Sequence, residues 1–436
     1  MSRIRIVKGK IFESTGEDLN YYSETNISEN SAEYHSEKSE TVIKKDGNPG
    51  KPPASPTLSK CAVFFRPTKN WKGEFGFDWV RVADTKLETD ISYNGIIGNY
   101  GKVYATNTND PKNLPKFTPD TKKYNGILTE YNNFGVYKGK YYVPNMTLIA
   151  GETAVLDAIV HIEEKPDKLH YAYNTDVFEI IILKQFTVAK GTNFDESSVS
   201  IKCKKIFTSP ETIRIIATKN KLMQKVGEIK VLPNNKIKNV NIIMIPVTVK
   251  KMNSTGSVKG NEKVITQNAF NQSYIKANIL EKTKPIIADG FLFNLFFTTK
   301  DKNGNIVTDI SNWRSIHSTL DKIFFEDKKN EIYKSYYRVY MLPTSLNLNG
   351  IAEDVGNVKT VVAFQNRNDS STAHEILHAM GLYHTFDNNS PYTFKLYNTD
   401  NIMDYTHQTR NPKTNKMKSR FSTNKFQWKK INEGIK

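Results

Sequence analysis

The residues best placed for chemistry lie in one stretch, Ser371–Phe386, which reads STAHEILHAMGLYHTF. It spaces His374, Glu375, His378, Gly381 and His384 as H-E-x-x-H-x-x-G-x-x-H. On a helix, positions i and i+4 share a face, so His374 and His378 can offer two imidazoles to one ion. Glu375, beside the first histidine, can reach a water on that ion. Gly381 can take the left-handed backbone conformation that ends a helix, so the chain can turn and bring His384 back as a third ligand. Three neutral imidazole nitrogens with one open position form the donor set of a catalytic zinc site, which makes Zn2+ the expected cofactor. A bare HExxH arises in many amphipathic helices. The extended pattern is expected by chance only on the order of 10⁻⁵ times in a chain of this composition.

Two flanking features agree. Asp369, Ser370, Ser371 and Thr372 are candidate N-caps for the helix. The β-branched run VKTVVAF, Val358–Phe364, precedes it as a strand and is expected at the rim of the sheet, where an extended substrate could pair with it. Downstream lies Asn401-Ile402-Met403-Asp404-Tyr405.

The long histidine motif followed by this methionine turn resembles the metzincin zinc metalloendopeptidases. The wording GLYHTF…MDY is most similar to their pappalysin branch, and the likeness is close over 371–405. It implies zinc ligation by His374, His378 and His384, a general base at Glu375, a hydrophobic floor at Met403, and a tyrosine at Tyr405 that ligates zinc or steadies the transition state. Asp404 is expected to fix the turn as a hydrogen-bond acceptor, and His407 to sit in solvent. The branch usually carries cysteines and a calcium-binding insertion here. Only 18 residues separate His384 from Met403 and none is Cys, so zinc is carried over and calcium is not, although Asp387 and Asp400 could bind a cation. A zinc clan with a downstream glutamate ligand is disfavoured, because the only Glu after Glu375 is Glu433.

The rest of the chain must position this motif. Its 436 residues suggest two to four domains. With 38% apolar residues, including 23 Phe and 22 Tyr, there is enough to build buried cores. Residues 1–58 read as an N-terminal region ending in a Pro/Gly-rich linker, 59–143 as a β-rich aromatic domain, and 144–235 as an Ig-like β-sandwich. Residues 236–436 read as an α+β metallopeptidase domain with a mixed sheet and an active-site helix. Within that last part, strands are expected at 239–251, 288–299, 333–342 and 358–364, and helices at 262–280, 311–327 and the final FSTNKFQWKKINEGI. The fold class is therefore multidomain, mainly β first and α+β last.

Composition narrows the partners. No run reaches the ~20 apolar residues of a membrane helix. The net charge of +17 is spread over a Lys- and Asn-rich chain with no nucleic-acid-binding motif, so no nucleic acid is expected. Cys61 and Cys203 are too few for a disulfide scaffold and read as small buried hydrophobes. No apolar signal core follows Met1. The opening IRIVKGKIFESTGEDLNYYSETNI resembles leaders of effectors that Bacteroidota deliver by type VI secretion. That likeness implies an exported or injected toxin leaving by a non-Sec route, with a secretion apparatus and an immunity protein as partners and a protein or peptide as substrate. The alternatives are a cytoplasmic or surface protease for processing or nutrition, and a binding protein with an inert zinc site.

Overall fold

Long alternating strands in the first half of the described chain bury one face each, and so two sheets form. The computed structural model describes residues 59–101, 116–137, 139–309, 311–346, 348–411 and 414–435. The expectations for the first 58 residues, the N-terminal region and its Pro/Gly-rich linker, fall outside them. One sheet has the order Cys61–Pro67, Thr153–Ile162, Gly191–Cys203, Phe178–Ile182, and the other Gly76–Asp78, Asn145–Thr147, Leu222–Val231, Glu211–Lys219, Lys168–Ala172. Inward residues of both, among them Val63, Phe65, Leu156, Val160, Ile213, Ile215 and Val226, share one apolar core. Cys61 and Cys203 are buried free thiols in that core.

The strands cross the boundary read at 143/144. Cys61–Pro67 pairs antiparallel with Thr153–Ile162, and Gly76–Asp78 with Asn145–Thr147. The strand Ile97–Tyr100 instead pairs with Thr393–Phe394, close in sequence to the histidine motif. Aromatic content alone does not mark a domain; each strand goes where its apolar face is covered. Ser59–Lys436 accordingly forms one compact unit.

The second half is built on a central strand, Lys238–Val249, whose residues alternate between two cores. Val240, Ile242 and Met244 face one side, and Ile243, Ile245 and Val247 the other. Tyr337–Met341 and then Thr360–Ala363 add in parallel, and Gly350–Ala352 closes that edge antiparallel to Thr360–Ala363. The first face is covered by the helices Glu262–Asn271 and Ser371–Ala379, through Ala269, Phe270, Ala373, Ile376 and Leu377. The second is covered by the helix Trp313–Glu326, through Ile316, Leu320 and Phe324.

Three local expectations need correction. Residues 262–280 are a helix only to Asn271; Tyr274 takes φ 56°, and Ile275–Glu281 is a strand parallel to Lys238–Met244. Residues 288–299 hold a helix, Phe291–Phe297, because Phe293 and Phe297 are buried one turn apart. The run Val358–Phe364 is an inner strand: Thr360–Ala363 is fully buried and flanked on both sides, and the rim is Gly350–Ala352. Among the described residues no helix is long and apolar enough to cross a membrane.

Candidate metal centre

The helix Ser371–Ala379 starts from a network rather than from a side-chain cap. Ser370 stands at the N-cap but makes no capping bond. Asn368 Oδ1 accepts instead from Ser370 N, Ser370 Oγ and Ser371 Oγ. Thr372 Oγ1 donates to Glu262 Oε1 at 2.8 Å, and Glu262 is paired in two bonds with Arg367, both side chains fully buried. At the other end Gly381, at φ 101°, turns the chain, and Leu382 N donates to Leu377 O. The C-terminal helix Lys425–Gly434, opened by an Asn424/Gln427 capping box, abuts this turn so closely that a Cβ at Gly434 would lie 1.9 Å from Met380 O.

The turn brings the three histidines together. His378 Nε2 lies 3.1 Å from both His374 Nε2 and His384 Nε2. His378 Nδ1 donates to Leu382 O at 2.6 Å, which leaves its Nε2 without a proton; His374 Nδ1 stands 2.8 Å from Ile402 O. The Nε2 lone pair of His378 therefore points into the space shared with the Nε2 atoms of His374 and His384. Lone pairs converging without a proton between them repel, and a cation relieves that repulsion. Tetrahedral ligation at the usual zinc–nitrogen length spaces such nitrogens by about 3.3 Å, close to the two 3.1 Å separations made by His378, and all three ligand atoms lie within 4.8 Å of one another. Burial pushes His378 down to about 4 and His374 and His384 well below their ordinary value, which keeps the rings neutral and ready to bind. This buried triad could hold a metal ion.

Glu375 is buried on the same helix. Burial lifts its carboxyl to about 7, against the opposing pull of the Arg420 charge and of the Ala352 N–H, which donates to it. Ala352 belongs to the rim strand. That strand is steadied from behind by His317, whose Nε2 lies 3.0 Å from Ile351 O.

Met403 is buried in the apolar cluster that holds Ala373 and Leu377. Its neighbour Ile402 supplies the carbonyl that orients His374. Asp404 fixes the turn: it accepts from Tyr397 N and Tyr405 N through one oxygen and from Thr399 N and Oγ1 through the other. The Tyr405 ring stands edge-on to His384, 4.8 Å between centroids, and His384 stacks on Phe386 at 4.7 Å. His407 is half-buried rather than in solvent, because Asn349, just before the rim strand, bonds its Nε2 at 2.9 Å. Asp400 is taken up by a buried two-bond pair with Arg81, and Ser422 also donates to it.

Sequence reasoning missed Arg420, one of many Lys and Arg residues in a basic chain. Its buried guanidinium donates to Ser370 Oγ and Asp404 O, both at 2.8 Å, and lies 3.0 Å from His374 Nδ1. One side chain thus ties the helix start to the methionine turn. Gly350 and His317 were also missed; neither carries a motif. Compared with known proteins, no family model matches the chain and no curated protein matches it.

Proposed function

We propose that the protein is a zinc-dependent endopeptidase of the metzincin type that hydrolyses peptide bonds in protein substrates. The observation that carries this reading is the convergence of three histidine Nε2 atoms, His378 Nε2 standing 3.1 Å from each of the other two, with a buried carboxyl on the residue after His374. A purely structural zinc site has no use for Glu375. His374, His378 and His384 would hold the ion, which when bound acidifies a water and polarises the scissile carbonyl.

The chain's own residues do the rest. Glu375, with a carboxyl near 7, takes a proton and returns it to the leaving amine. The Ala352 N–H keeps that carboxylate aimed. Tyr405, packed on the His384 ring, offers its hydroxyl to the developing oxyanion. The rim strand Gly350–Ala352 leaves one edge for an extended peptide, which would gain main-chain hydrogen bonds without strong sequence demand. In this reading the first two sheets are an Ig-like module ahead of the catalytic unit, and the protease is an exported toxin.

The test is Glu375→Gln against wild type on a protein substrate, with metal content measured in both. The variant should keep one zinc per chain and lose about 10²–10⁴-fold in hydrolysis. Hydrolysis retained by the variant, or a wild type that takes up no zinc, would overturn the reading.

A further inference from the structure

Single exposed apolar side chains are ordinary, but a contiguous cluster of them marks a contact surface. In the short span 287–296, Ile287, Phe291, Leu292, Leu295 and Phe296 are between 47 and 79% exposed. The helix Phe291–Phe297 has two apolar sides. Phe293 and Phe297 are buried with Val247, Val249, Ile316 and Leu320. Phe291 and Leu295 form one i,i+4 pair and Leu292 and Phe296 another, so all four make a single stripe on the outward side. The helix has one polar residue, Asn294, and its amide is bonded to Asp289 at 3.3 Å.

Lysines collar the stripe. Lys250 and Lys251 follow the central strand just where it pairs with Ile286–Ala288. Lys284 precedes that short strand, and Lys300 and Lys302 follow the helix; all five are exposed. The acids of the same segments are Asp289 and Asp301. Asp289 is paired with Lys250 at 2.9 Å, and Asp301 is used within its own turn by Asn303 N and Asn305 N. The balance around the stripe is therefore basic.

We propose that this stripe and its lysine collar dock the protein on the surface of an anionic phospholipid bilayer. A projecting Phe/Leu helix flanked by lysines is the chemistry of an interfacial anchor: the rings and leucines enter the headgroup–acyl boundary while the ammonium groups meet phosphates. The stripe presents no polar group that would orient a protein partner, whereas fluid acyl chains accept any projecting apolar shape. The helix is seated by Phe293 and Phe297 in the core shared with the back helix Trp313–Glu326, on the sheet face opposite the histidine helix, so docking leaves the metal centre uncovered by the same contact.

The experiment is flotation of the full-length protein with phosphatidylcholine vesicles, with and without phosphatidylglycerol. Wild type should partition about tenfold or more in favour of the anionic vesicles, and added salt should weaken that binding. A Phe291→Asp/Leu295→Asp variant, altered only at exposed positions, should keep its circular dichroism spectrum and bind about tenfold or more weakly. A Lys300→Glu/Lys302→Glu variant should lose the preference for anionic lipid. Equal binding by the Asp variant, or no preference for anionic vesicles, would overturn the proposal. So would a wild-type dimer that the Asp variant abolishes, because a second copy would then be the occupant of the stripe. None of these readouts depends on zinc or hydrolysis.

Discussion

Gly350 of the rim strand lies directly against Glu375: a Cβ at position 350 would stand 2.7 Å from Glu375 Cγ and 2.9 Å from Val362 O. The rim strand thus touches the carboxylate side chain at Gly350 and donates to it from Ala352 N. Placement of Glu375 and placement of any peptide laid on the rim are set by the same three residues.

Gly350→Ala is therefore expected to displace Glu375 without touching a metal ligand. Zinc content should stay at one per chain while hydrolysis falls about 10²-fold, the usual result of shifting a reacting group by an ångström. Overpacking should also cost about 1–3 kcal/mol of stability. Metal analysis, initial rates and urea unfolding on one preparation separate the effects. Full activity in the alanine variant would mean that the carboxylate can step aside.

Arg420 makes a second kind of link. Its guanidinium holds Ser370, four residues before His374 at the helix start, and the carbonyl of Asp404, two residues after the Ile402 whose carbonyl meets His374 Nδ1. Removing it should loosen the orientation of His374 and weaken zinc binding about 10–100-fold. Arg420→Lys should not restore affinity, since one ammonium cannot span both acceptors in the planar fork of an arginine. Zinc titration against a competing chelator reads this directly. Unchanged affinity in Arg420→Ala would leave the residue with a packing role only.

The acid limit of metal retention follows from burial. A free imidazole takes up a proton near 6.5, but burial holds the metal-free His378 at about 4. Its folded value is depressed, so the stability it contributes to the metal-free protein is present above 6.5 and is lost as pH falls through about 4. For that one group the loss amounts to about 3 kcal/mol. Zinc content after dialysis should accordingly hold down to pH ~5 and collapse below it. Half-loss near pH 6.5 would show that solvent reaches the rings.

The histidine cluster was legible in the sequence because it is almost wholly local: one helix period and one glycine at φ 101° bring His374, His378 and His384 together, where they could hold a metal ion. Its supports are not local. Arg420 reaches Ser370 across 50 positions, and nothing marks it among the chain's other Lys and Arg residues. The rim strand was misplaced for a physical reason. The strongest β-forming run, Thr360–Ala363, is strong because both its faces are covered, whereas the true rim, Gly350–Ala352, is short and half-buried. The helix Phe291–Phe297 was misread because six apolar residues in seven fit either period, and only the burial of Phe293 and Phe297 decides between them. Strand pairing across 143/144 was not legible, because Cys61–Pro67 finds its partner far along the chain.

The last expectation concerns the buried pair behind the histidine helix. Arg367 Nε and Nη2 donate to the two oxygens of Glu262 at 2.5 and 2.7 Å, and the first oxygen also accepts from Thr372 Oγ1. Neither charged side chain meets solvent. A pair so fully dehydrated gains little over apolar residues, but either half alone is costly. Arg367→Met should therefore lower stability by about 3–5 kcal/mol, while Arg367→Met with Glu262→Leu should recover part of it. Thr372→Val, which removes only the hydroxyl, should cost about 1 kcal/mol. If the pair also sets where the helix begins, the double variant will refold yet bind zinc more weakly than wild type, because Thr372 stands two residues before His374 and loses its anchor. Urea unfolding gives the energies, and zinc titration of the refolded double variant gives the placement. Wild-type affinity there would reduce the pair to a stability element.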